Sequence, residues 1–91
     1  MNIQDALARF VVQLEADGRS AHTVAQYRRH VRAFSDWLAH GAHPREVELI
    51  GHEHVAGFLA APQTRTRALG GPKRATSMNA LRTSLRVMFR Y

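Results

Sequence analysis

The side chains of this 91-residue chain that could do chemistry are mostly cations, and they are unevenly placed. Thirteen basic residues against seven acids leave a net charge of +6. Residues 1–60 hold six arginines and all seven acids. Residues 61–91 hold Arg65, Arg67, Lys73, Arg74, Arg82, Arg86 and Arg90 and no acid at all. A one-sided excess of this kind is an electrostatic footprint for a polyanion. Lys73 is the lone lysine. Guanidinium groups grip phosphate through two parallel N–H bonds, which an ammonium cannot do. The arginine bias also fits a GC-rich genome in which the charge only keeps the domain soluble. The acid-free last third fits that reading less readily.

Spacing sharpens the picture. At about 100° per residue, Arg82, Arg86 and Arg90 fall on one drifting line beside an apolar stripe. Asn79 joins them from the turn before, and Thr83 lies further round. Lys73 and Arg74 lie just upstream, with Ser77, where a helix start presents free N–H groups to anions. Asn79 has the chemistry to pair bidentately with adenine. A second set, His22, Thr23, Gln26 and Arg29, lies on the outer face of an earlier helix. Gln26 and Arg29 suit base or phosphate contacts, and Thr23 either joins them or reinforces a helix cap. Taken singly, each of these residues also fits an ordinary solvated helix face.

Other chemistries find little support. Among six histidines, His40 and His43 flank Gly41, and His52 and His54 are two apart. Two apart means different helix faces, and no carboxylate completes a tetrahedral set, so neither a metal nor a cofactor is expected. His40 reads more simply as a dipole partner at a helix end. There is no Ser–His–Asp order in a recognisable frame, no carboxylate pair, and Gly70–Gly71 does not make a phosphate loop. A non-enzymatic domain is expected. The chain has no cysteine, which excludes disulfides and thiolate metal sites and suits a reducing compartment. No apolar run approaches membrane-spanning length. The start, MNIQDALARF, carries an early acid and no cationic leader. The expected location is the cytoplasm.

The elements that must position these residues are helical. Ile3, Leu7, Phe10, Val11 and Leu14 predict a first helix over 3–17, with Asn2 as N-cap and Gly18 closing it in the left-handed conformation. Ser20 predicts the cap of a second helix over 21–40, accepting from the Thr23 N–H. Val24, Tyr27, Val31, Phe34 and Leu38 form its core stripe, and Gly41 ends it in the same way as Gly18. Trp37 is expected to pack on the first helix or on the connector 42–51. That connector reads as extended, dropping Val47 or Ile50 into the core. Val55, Phe58 and Leu59 predict a third helix over 52–60, stopped by Pro62. Residues 62–76 read as a long loop. A fourth helix runs from 77 to 91, capped by Thr76 or Ser77, with Met78, Leu81, Leu85, Met88 and Phe89 inward. The whole is one all-α domain, 1–91.

The order Ser20, Thr23, Tyr27, Val31, Phe34, Trp37, the Val55–Phe58–Leu59 helix and the closing ALRTSLRVMFRY resemble the N-terminal, SAM-like core-binding domain of tyrosine recombinases (phage integrases and Xer-type recombinases). The resemblance implies a compact four-helix domain that clamps one side of a recombination site while a separate catalytic domain clamps the other. It implies that the second and fourth helices lie toward the DNA major groove. Its expected partners are double-stranded DNA and a C-terminal catalytic domain, with the isolated domain monomeric. The family's catalytic arginines, lysine, histidines and nucleophilic tyrosine have no counterpart here, and Tyr91 is not that nucleophile. The end at Tyr91 suggests a fragment or a truncated gene. Gly51 stands where a Ser or Thr cap is usual, so the third helix is expected to fray. The expected DNA-binding set is His22, Thr23, Gln26, Arg29, Lys73, Arg74, Ser77, Asn79, Arg82 and Arg86. Two other readings stay open: a helical module that meets an acidic protein partner, and a free-standing DNA-binding regulator.

Overall fold

The computed structural model describes residues 1–67 and 70–89. Among them, five α-helices follow one another: α1 (Ile3–Ala16), α2 (Ala21–His40), α3 (His52–Ala60), α4 (Pro62–Arg65) and α5 (Ala75–Met88). Four are substantial, and α4 is a single turn. The fold is all-α and compact, as the periodicity predicts. The two long starts are capped as expected: the Asn2 side chain accepts from the Gln4 N–H at 2.7 Å, and Ser20 Oγ accepts from the Thr23 N–H at 3.2 Å.

The core is one cluster drawn from four helices. Phe34 of α2 is fully buried at its centre. Its ring lies 5.2 Å from Phe58 of α3 and 6.0 Å from Phe89 after α5, while Phe10 of α1 meets Tyr27 of α2 edge-on at 5.5 Å. These contacts are geometries that aromatic quadrupoles favour. So α2 is the spine on which α1, α3 and α5 pack.

The two long helix ends differ in a way the sequence hides. After α1, Gly18 takes φ +78°, the Gly18 N–H bonds Glu15 O at 3.0 Å, and the Arg19 N–H bonds Leu14 O at 3.0 Å. That is a Schellman closure with glycine where it belongs. After α2 the same pattern recurs one residue later than expected. Gly41 has φ −89°, and the left-handed residue is Ala42, at φ +57°. The His43 N–H bonds Leu38 O at 2.9 Å. Gly41 serves a different need: a Cβ there would lie 2.6 Å from His43 Cδ2. The His43 ring crosses that space to stack on Trp37, centroids 4.6 Å apart and planes 20° apart. Trp37 thus packs on the connector, as one of its two expected positions had it, and also on Phe58 of α3 at 5.8 Å.

The connector is not fully extended. It makes one 3₁₀ turn, Val47–Leu49, and both Val47 and Ile50 pack against the core. It also straps the chain start: the Ile3 N–H bonds Arg45 O at 2.8 Å and the Val47 N–H bonds Met1 O at 2.7 Å. The α3 start has the support that Gly51 cannot give. His54 Nδ1 reaches back to accept the Gly51 N–H at 2.8 Å, so histidine fills the reciprocal half of a capping box.

The largest correction lies in residues 62–76. Helix α3 ends at Ala60 ahead of Pro62, as expected, but Pro62 then opens a further turn, α4, at its first position, where its missing N–H costs nothing. The following turn is closed by an antiparallel bridge between Thr66 and Pro72, with Gly70 and Gly71 at positive φ. The Lys73 N–H then bonds Arg65 O at 2.6 Å. Helix α5 then begins at Ala75 with Arg74 as N-cap, rather than at Ser77 behind Thr76 or Ser77. Of the last expected helix, Arg90 and Tyr91 lie outside the described residues.

Candidate nucleic-acid interface

The side of α2 that carries Arg29 and His30 meets the side of α5 that carries Ser84. His30 Nδ1 lies 2.7 Å from Ser84 Oγ, and the Ser84 hydroxyl donates its one hydrogen to Ala80 O at 3.0 Å. While that hydrogen stays on Ala80 O, the Ser84 oxygen is free to accept from a protonated Nδ1. His30 is half-buried. Burial first, then the positive charges of Arg29 and Lys73, push its imidazole below the ordinary value of 6.5. The two cations come from different elements, α2 and the stretch before α5, and both act on one ring.

A groove of roughly 640 Å³ opens at this junction, lined among others by Arg29, His30, Trp37, Thr64, Lys73 and Ser77. From α5, Ser77 and Leu81 line it. Arg74 as N-cap offers no side-chain acceptor, so the N–H groups of Ala75, Thr76 and Ser77 keep the anion-attracting character of an open helix start. Lys73 is held beside them by its backbone bond to Arg65. Thus Arg29, Lys73 and Ser77, drawn from both halves of the sequence, come together. His30, Thr64 and Ser84 join them unforeseen. Ser84 is the member a sequence could have flagged: it falls between Leu81 and Leu85 on the core stripe, where a hydroxyl needs a partner.

The other flank of α5 is different. Arg82 and Arg86 do not face the α2 groove. They border a second groove with Arg65, above a floor of Val55, Leu59 and Leu85. Both side chains are exposed. Arg82 Nη1 donates to Asn79 Oδ1 at 2.9 Å, which engages the amide oxygen that a base contact would use. At the start of α2, His22 is exposed, and Thr23 Oγ1 accepts from the Ser20 hydroxyl at 3.0 Å, so Thr23 takes part in the cap and keeps its own hydrogen to donate. Gln26 is half-buried, one turn before His30. His40 Nδ1 sits 2.7 Å from Asp36 O in the last turn of α2. Among the described residues, no three of His, Cys, Asp and Glu come together as a metal-binding group. Nor, among the described residues, is any helix long and apolar enough to cross a membrane.

Residues 7–91 match the family model of the phage integrase N-terminal SAM-like domain. The chain belongs to that family. No curated protein and no solved structure gives a significant match. The integrase SAM-like domain therefore accounts for nearly all of the sequence, including the α2 and α5 segments that carry the cations. Within it Arg29 and Lys73 border the groove between α2 and α5, marked by the polar linkage His30–Ser84, and Arg65, Arg82 and Arg86 border the groove between α3 and α5.

Proposed function

We propose that this is the DNA-binding, core-binding domain of a site-specific tyrosine recombinase, seated on one side of a recombination site in double-stranded DNA. Its working partner would be a catalytic domain carried by the same protein, and its place of action the cytoplasm. The observation that carries the reading is the convergence of Arg29 and Lys73 on His30, beside the open N-terminus of α5. Cations from α2 and from the stretch before α5, brought to one groove, suit a phosphate backbone. Lys73, Arg74, Arg29, Arg82 and Arg86 would hold the backbone, while Gln26, Asn79, His22, Thr23 and Ser77 lie where they could meet base edges or sugar.

The test is duplex binding by fluorescence anisotropy across a salt series. Random duplex should bind at about 10⁻⁴ to 10⁻⁶ M at physiological salt, and four neutralised phosphates would give a slope of log K on log salt near −3.6. Tight, salt-insensitive binding to an acidic protein with no affinity for DNA at low salt would instead support an interaction module. The arginine-bordered apolar groove between α3 and α5 is the observation that favours that second reading.

A further inference from the structure

The groove between α3 and α5, roughly 770 Å³, has an apolar floor and a cationic rim. Val47 and Ile50 of the connector, Val55 and Leu59 of α3, Leu85 of α5 and Phe89 after it make the floor. Leu59 and Leu85 are buried, but Val47, Ile50, Val55 and Phe89 are only half-buried. Arg82 and Arg86, one turn apart on α5, and Arg65 at the end of α4 make the rim. No acid lines the groove, and among the described residues no carboxylate pairs with any of the three. Like charges four apart on a helix repel, so the fold carries this rim uncompensated. Arg82 spends one N–H on Asn79 and has further guanidinium donors to offer.

Floor and rim together narrow what fits. A duplex meets arginines with phosphates but has little apolar surface for the floor beyond thymine methyl groups. A purely apolar segment fills the floor but crowds the guanidiniums without pairing them. A segment with apolar side chains and carboxylates beside them answers both, because guanidinium takes carboxylate through two parallel N–H bonds. Its backbone matters too. Among the described residues the only ladder pairings are the isolated bridges Asn2–Glu46 and Thr66–Pro72. An extended segment would find no strand edge here and would lay unpaired N–H and C=O groups on an apolar floor. A helix pairs those groups internally.

We infer that this groove is a docking surface for an acidic amphipathic helix of a partner protein, with apolar side chains on the floor and Asp or Glu on Arg65, Arg82 and Arg86. The inference goes beyond the DNA-binding reading and does not rest on it, but the two share Arg82 and Arg86. Duplex and acidic helix therefore compete for those cations, and a docked helix lowers duplex affinity.

The experiment uses the 91-residue chain and a fluorescein-labelled helical peptide of about four turns, with Leu at i, i+3, i+4 and i+7 and Glu on both sides of that stripe. One control peptide has every Leu replaced by Ser, and another has every Glu replaced by Gln. By anisotropy the probe should bind at least about tenfold tighter than either control, because each control forfeits the floor or the rim. In ¹⁵N spectra the amides of Val55, Leu59, Leu85 and Phe89 should shift and those of α1 should not. Arg82→Ala and Arg86→Ala combined should weaken the probe about threefold to tenfold, the yield of two exposed ion pairs. Ala56 lines the groove and is exposed, so Ala56→Glu should also weaken the probe without lowering the melting point. The Ser control binding as tightly as the probe would overturn the docking surface, since charge alone would then account for binding. Absence of shifts in the groove would do the same. Shifts at these amides that grow with protein concentration, with no peptide present, would make the occupant a second copy of this chain and overturn the partner. Duplex binding is read separately in the same buffer. Its absence beside tight probe binding would overturn the DNA reading and leave the docking surface standing, and duplex binding without probe binding would do the reverse.

Discussion

The two flanks of α5 use the same kind of residue to different ends. On the α2 flank the polar groups are embedded: His30 is half-buried, Ser84 is 3% exposed, and Lys73 is held by its own backbone. On the α3 flank Arg82 and Arg86 stand in solvent above an apolar floor, and Arg82 is braced only by Asn79 on its own helix. Exposed charges of this kind add little to stability, but they set long-range attraction and salt dependence. His30 and Ser84 are fixed in geometry before any ligand arrives, so they lose less ordering on binding, while Arg29 beside them is exposed. The difference suggests a division of labour: the α3 flank draws a polyanion in, and the α2 flank grips it.

The largest expected effect would break both flanks at once. Phe34 lies beneath them, against Phe58 on one side and Phe89 on the other. Phe34→Ala should cost about 3–5 kcal/mol in a domain with little to spare, seen as a large fall in the urea midpoint. An unchanged midpoint would mean that the aromatic cluster does not hold α3 and α5 to α2.

Binding separates the flanks. Lys73→Ala and Arg29→Ala should each flatten the salt slope by about 1, as should Arg82→Ala and Arg86→Ala if one duplex spans both flanks. We expect all four losses, with Arg9→Ala and Arg45→Ala neutral, since Arg9 and Arg45 lie away from both flanks. Gln26→Ala or Asn79→Ala should cost about 1–3 kcal/mol on a cognate site and little on random DNA. Anisotropy titrations against cognate and scrambled duplex decide this. If Arg82 and Arg86 carry the whole slope, the α2 groove is not the grip.

Stability separates the flanks as well. Ser84→Ala strips the acceptor from His30 Nδ1–H and should cost about 1 kcal/mol, the low end for an unsatisfied donor because His30 is only half-buried. Arg86→Ala should stay within about 0.5 kcal/mol. His30 also gives the α2 flank a pH dependence. Its affinity for a proton is lower folded than unfolded. Above about pH 6.5 both states are neutral there and the ring contributes no pH dependence. As pH falls through that value the unfolded chain takes the proton first, so stability declines until the folded ring is protonated too. Urea midpoints at pH 8, 6.5 and 5.5 should fall for the parent and fall less for His30→Gln.

Much of this arrangement was legible in the sequence, and the exceptions share a cause. Helices α1, α2 and α3, the core of α5, and the caps at Asn2 and Ser20 follow from local spacing. The His30–Ser84 contact joins residues 54 apart, and no local pattern announces it. Thr64 was read as loop because a single helical turn has no period to detect. The sequence puts the start of α5 two residues late because Thr76 and Ser77 are good caps in isolation, whereas in the fold Arg74 is the N-cap without a side-chain bond. The split of the arginines follows from a wheel only once it is known which sides of α5 meet α2 and α3. Local chemistry named the right residue types, and tertiary contacts decided which of them meet.

The smallest expected effect tests whether the flank comparison measures contacts at all. Ala42 holds a left-handed conformation at the end of α2 that costs a non-glycine residue about 1–2 kcal/mol. Glycine relieves that strain, and the extra freedom it gives the unfolded chain takes back part of the gain. Ala42→Gly should therefore stabilise the domain by about 0.5 kcal/mol. It touches neither groove, and it leaves Gly41 open for the His43–Trp37 stack. Salt slope and pH dependence of binding should be those of the parent. Were duplex affinity to move with this substitution, losses at Lys73 or Arg29 could reflect a loosened α2 rather than a lost phosphate contact, and the contrast between the flanks would have to be redrawn in terms of local stability.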